Sequence, residues 1–152
     1  MNADFQTKAK DHLKNQIFAT MEDFKNSLPG ATHPYCIEIA WDGGAEDVTL
    51  KPPRASFFVY SRAALQAYQS TKLPIEGKIL CVFPNYEQGE FMISVTKGKA
   101  EQVRPDGRVL FNADLDALPE KEITHPILGL EAGNFGRRLE EFYNTRTIFD
   151  GR

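Results

Sequence analysis

The stretch Thr96–Asn112, TKGKAEQVRPDGRVLFN, decides which kind of fold this chain adopts. Four basic residues (Lys97, Lys99, Arg104, Arg108) stand among three turn-formers, Gly98, Pro105 and Gly107. Two readings compete for it. A phosphate-cradling loop puts glycines ahead of a helix N-terminus, where backbone amide dipoles gather. A β-hairpin needs a tight turn between two strands. In Arg104–Arg108, Pro105 suits position i+1 and Asp106 position i+2 of a type I turn, which Gly107 closes in the left-handed region. Strand propensity flanks the turn on both sides, in Glu101-Gln102-Val103 and in Val109-Leu110-Phe111. No helix signal follows it. The stretch therefore predicts a hairpin, with its basic residues as a charged rim that discourages edge-to-edge pairing.

Strands continue upstream. Phe91, Ile93 and Val95 alternate with Met92, Ser94 and Thr96, the period of a half-buried strand. Asn85 to Gly89 predicts a loop, and Lys78–Phe83 (KILCVF) a central strand covered on both faces. Tyr35–Asp42 (YCIEIAWD) alternates as well, and Asp42-Gly43-Gly44 then turns the chain toward a short strand at Val48–Lys51. Between these lies an ambiguous segment, Ala55–Gln69. FFVY favours a strand and SRAALQAYQ a helix capped by Ser61, whereas Pro53 could start one longer helix through both; a helix over at least Arg62–Gln69 is the preferred reading.

Helices bracket the strands. From Ala3 to Leu28 the apolar residues Phe5, Ala9, Leu13, Ile17, Met21, Phe24 and Leu28 recur at steps of three and four, and Pro29-Gly30 stops the pattern. Beyond Asn112 the chain loosens through ADLDALPEKEITHP, rich in acids and proline. A last helix is predicted over roughly Ala132–Phe149, with Phe135, Leu139, Phe142 and the stem of Arg146 on one face. The expectation is a single α+β domain over residues 1–152. It is a two-layer structure, a mainly antiparallel β-sheet meander packed by an N-terminal and a C-terminal helix.

Composition narrows the function. The chain has 152 residues, 41% of them hydrophobic, enough to bury a core without disulfides or a structural metal. A net charge of −3 argues against general nucleic-acid binding, which needs an excess of Lys and Arg to displace counterions from the phosphates. No apolar run approaches the roughly 18 residues that span a bilayer, and the N-terminus lacks an apolar leader core. Cys36 and Cys81 then read as reduced, buried thiols of a cytoplasmic protein.

Catalytic signals are few. His12, His33 and His125 form no ligand spacing and read as exposed or loop residues. Neither cysteine lies beside a base, and no nucleophile-elbow, Walker or dinucleotide pattern occurs. No enzyme activity, metal or cofactor is expected. The acids are more informative. Asp42, Glu46 and Asp47 cluster at one turn; Asp114, Asp116, Glu120 and Glu122 cluster in the loop after the last strand. Asp114-x-Asp116 lacks the ligand alternation and glycine of a calcium loop, which favours a solvated acidic loop.

These seven acids are the candidate partner-binding residues, facing a basic macromolecule, expected to be a protein. Small acidic α+β proteins without active sites include immunity proteins that inhibit bacterial toxins and chaperones of secreted effectors. The alternative is a small-molecule-binding domain with an apolar pocket lined by some of the eleven Phe residues.

Overall fold

Along the N-terminal helix Ala9, Leu13, Ile17 and Met21 recur every four residues, and all four are fully buried. At 3.6 residues per turn each such step overshoots by about 40°, so three steps would wander about 120° around an α-helix. The computed structural model, which describes residues 3–28, 34–44, 52–113 and 121–146, shows how the chain keeps the stripe on the sheet. Helix α1 (Ala3–His12) passes into a π-helical segment, Leu13–Phe18, before α2 (Ala19–Ser27). The wider i→i+5 turns underwind the helix and offset the drift. Phe5, Phe24 and Leu28 pack half-buried at the margins of the same core. The Pro29-Gly30 stop lies outside the described residues.

Among the described residues the sheet has six strands, all antiparallel, curled into a half-barrel. Strands β1 (Tyr35–Asp42), β2 (Arg54–Ser61), β3 (Ile75–Asn85), β4 (Glu90–Val103) and β5 (Val109–Ala113) are neighbours in that order. The ambiguous segment resolves as a strand plus a helix. β2 runs straight into α3 (Arg62–Thr71), and the Ser61 hydroxyl caps it by accepting from the Ala64 N–H at 3.3 Å. The hairpin forms as the sequence implies: the Gly107 N–H donates to the Arg104 carbonyl at 2.8 Å, with Gly107 at φ 92°. Helix α4 (Ala132–Thr145) buries Phe135, Leu139, Phe142 and Tyr143, and the Arg146 guanidinium lies 4.3 Å from the Tyr35 ring centre.

Three expectations need correcting. The stretch after Asn112 is not loop throughout, because Lys121–Pro126 forms β6, which pairs with β4 from Glu90 to Val95. Glu122 therefore lies on a strand. Lys97 and Lys99 guard no edge, since β4 is paired with β3 through Ala100 and with β5 from Gly98 onward. Cys36 is only half-buried, being on the outermost strand, whereas Cys81 on the central strand is buried. The expected strand at Val48–Lys51 lies outside the described residues.

Two apolar clusters flank the sheet. One joins the helices to Phe57, Leu80, Val82, Phe91, Ile93 and Val95. On the opposite face Phe58, Tyr60, Ile79 and Cys81 pack against Ala100, Val109 and Phe111 as the sheet rolls over itself. Two devices let it roll. A bulge in β4 between Ala100 and Gln102 sharpens the twist. Gly77 and Gly98 face each other across the β3–β4 ladder, where a Cβ on Gly77 would collide with the Val59 carbonyl and one on Gly98 with the Ile79 side chain.

Candidate functional site

Rolling the sheet brings the start of β5 to the open edge of β1, and Glu38 bridges the seam. An acid in the middle of YCIEIAWD is out of place on apolar grounds alone, yet Glu38 is 6% exposed. Burying a carboxylate costs several kcal/mol unless its lone pairs are met. Here they are. Oε1 accepts from Lys25 Nζ at 3.0 Å and from the Ile39 N–H at 3.2 Å, and Oε2 accepts from the Val109 N–H at 3.1 Å. One side chain thus ties α2, β1 and β5 together and satisfies two backbone amides at the seam.

A cleft of about 490 Å³ opens above this carboxylate. Helix α2 contributes Glu22 and Lys25, the preceding π segment Phe18, and the hairpin turn Asp106 and Arg108. Asp106 is fixed by its turn, Oδ1 accepting from the Arg108 N–H at 3.0 Å. Beside the cleft Phe18 meets Trp41 of β1, ring centres 5.7 Å apart, and Lys14 Nζ lies 6.0 Å from the Trp41 ring centre. Both aromatics are half-exposed. The result is an aromatic pair open to solvent, bordered by charges of both signs.

Of the seven candidate acids, Asp42 ends β1 next to Trp41; it is exposed, and its Oδ1 accepts from the Gly44 N–H at 2.8 Å. Glu122 is exposed on β6, opposite Ser94, with β2, β3 and β4 between it and β1. The structure does not bring these two together. Glu46, Asp47, Asp114, Asp116 and Glu120 lie outside the described residues.

Other titratable groups have structural employment. His12 is half-buried rather than exposed: Nε2–H donates to the Leu130 carbonyl at 2.6 Å, and the ring stacks on Phe91. Burial pushes the Cys81 thiol up, against the weaker lowering influence of Arg54 and a hydrogen bond with Ser56; burial likewise raises Cys36, with Arg62 opposing. A raised thiol is a poor nucleophile. Among the described residues no group of three or more His, Cys, Asp or Glu side chains is placed to hold a metal ion, and no helix is long and apolar enough to cross a membrane. Phe24, Phe57 and Phe142 pack edge to face, and Phe58 stacks on Phe111, so these rings fill core.

Sequence reasoning missed the Glu38 seam and the Phe18–Trp41 pair. The signal for the first is the isolated acid within an apolar strand. Comparison with protein families, curated proteins and solved structures yields no match.

Proposed function

We propose that the chain is a non-catalytic, cytoplasmic binding protein that engages a basic protein partner through the face joining Trp41, Phe18 and the Glu38 cleft. The observation that carries this reading is the half-exposed Phe18–Trp41 pair beside a cleft lined by the exposed acids Glu22 and Asp106, with exposed Asp42 next to Trp41. Protein interfaces concentrate their energy in such aromatic anchors, while rim charges govern encounter and its salt dependence. The raised thiols and the engaged His12 and Glu38 support a non-catalytic role. A toxin inhibited in the manner of immunity proteins, or an effector held by a chaperone, is a partner of the required class.

Capture from a native extract identifies the partner, and charge reversal tests the face. Glu22→Lys with Asp42→Lys forms one arm; Asp114→Lys, Asp116→Lys, Glu120→Lys and Glu122→Lys together form the other. The expected result is slower association in the first arm, most marked at low salt, with thermal midpoints near the parent's because exposed charges add little stability. Slowing confined to the second arm would move the site to the 114–122 region. Unchanged association in both would overturn an acidic site.

A further inference from the structure

The sheet stops short of closing on itself between β1 and β5. Among the described residues β1 has one strand neighbour, β2, and β5 has one, β4. Hydrogen bonds show which backbone groups face the gap. The Pro34 carbonyl, just before β1, turns to β2 and accepts from the Arg62 N–H at 2.9 Å. The next carbonyl, that of Tyr35, turns away and accepts from the Tyr143 hydroxyl at 3.2 Å. Successive residues of a strand address opposite edges, so Ile39 and Trp41 follow Tyr35 and face the gap. The Ile39 N–H, donated to Glu38, does so. On β5 the Arg108 carbonyl turns to Arg104, and the Val109 N–H turns to the gap and meets Glu38. Phe111 follows Val109.

Direction and width both suit one more strand. Every step along β1-β2-β3-β4-β5 is antiparallel, so β1 and β5 run the same way. A strand between them can be antiparallel to both, like every other pair in the sheet. Paired strands lie about 4.8 Å apart and leave no room for a side chain between their backbones. Here the Glu38 carboxylate fills that space, accepting from one edge and then the other as an intervening strand's carbonyls would. The cleft of about 490 Å³ above it provides entry. Side chains of an inserted strand would alternate between Phe18 and Ile39 on one face and Glu38 on the other. The first environment asks for apolar residues. The second asks for basic ones, since Glu22, Glu38 and Asp106 outnumber Lys25 and Arg108 in the lining.

We infer that the gap between β1 and β5 takes an extended segment of the partner protein, in which apolar and basic residues alternate. Its main chain pairs with Ile39 and Trp41 on one side and with Val109 and Phe111 on the other. The Glu38 carboxylate is displaced toward Lys25 and the incoming basic side chains. This rests on the binding face proposed above and adds how the partner is held, by strand addition.

The test uses two capped pentapeptides, both Arg-Val-Arg-Val-Arg, one of them N-methylated at its two valines. Charge and side chains are the same, and only the second lacks those backbone donors. Each is titrated into the 152-residue chain at constant ionic strength, with amide hydrogen exchange read by NMR. The unmodified peptide should slow exchange at both Trp41 and Phe111, and bind about tenfold or more tightly than its methylated form. Equal binding of the two peptides, or no slowing at these amides, would overturn the inserted strand. Protection there that grows with chain concentration, without peptide, would assign the gap to a second copy and overturn the partner segment. The Glu22→Lys/Asp42→Lys chain separates this from the face itself. If it slows association of the captured partner while the parent binds both peptides alike, the face stands and the inserted strand falls.

Discussion

The two faces of the sheet bury apolar side chains by different means. On one face the π-helical segment, α2 and α4 lay Leu13, Ile17, Met21, Phe135 and Phe142 over the strands, every one fully buried. The other face is covered mainly by the sheet's own curl, with α3 contributing only half-buried Ala64, Leu65 and Tyr68. Covering by helices asks for volume and apolar surface, which a range of side chains supplies. Covering by curl asks for particular atoms: a facing glycine pair, a bulge, and a carboxylate where two edges meet. Specific chemistry gathers where the fold itself is least generic.

The largest effect should come from the helix-covered face. Ile17→Ala removes a fully buried side chain, with an expected cost of about 2–5 kcal/mol from lost transfer energy plus a cavity. Phe24→Ala, at the half-buried margin, should cost less. Denaturant unfolding of the two variants checks the order, and an Ile17→Ala curve that overlays the parent's would show the stripe unburied.

On the curled face Gly77→Ala should cost about 1–3 kcal/mol, because its Cβ meets the Val59 backbone, which cannot step aside. Gly98→Ala meets a movable Ile79 side chain and should be milder. Equal costs would remove backbone approach as the reason for the pair. At the seam, Glu38→Ala strips acceptors from Val109, Ile39 and Lys25, with an expected loss of about 1–3 kcal/mol. Faster hydrogen exchange at the Val109 amide, with the Leu80 amide unchanged, would mark a local opening; uniform acceleration would instead mean that Glu38 supports the whole fold.

The smallest effect concerns alkaline pH. Burial, then Cys36 and Glu38, push the Tyr60 phenol far above its ordinary range, and burial raises Cys81. The folded chain therefore holds these protons more tightly than the unfolded chain. Stability from this source is fully present below the ordinary thiol and phenol values and declines as pH rises through about 9–10 and beyond. The thermal midpoint should be level near neutrality and fall above that window, with a shallower fall in Tyr60→Phe. An identical fall in Tyr60→Phe would remove Tyr60 as a cause.

Much of this comparison was legible in the sequence. Period-two alternation located β1 and the start of β4, the RPDGR turn fixed the hairpin, and Ser61 marked the start of α3. The helix-covered face was readable because Leu13, Ile17, Phe135 and Leu139 lie at helical spacing. Strand β6 was not, because KEITHP offers one inward apolar residue, Ile123, and owes its strand conformation to the length of β4. The π segment left a trace in the strict four-residue spacing from Ala9 to Met21, which helical periodicity alone absorbs as noise. Glu38 was invisible as a clasp since its Val109 partner is 71 residues away. Trp41 and Phe18 were each assigned correctly to an element, and only the fold brings them together.

Partner recognition at the seam is tested most directly by amide hydrogen exchange of the chain with and without the captured partner. Protection is expected at Phe18–Lys25, Ile39–Gly44 and Arg104–Arg108, with α3 and the Leu80 and Val82 amides unaffected. Protection confined to α3 or α4, with those three segments exchanging as in the free protein, would contradict it.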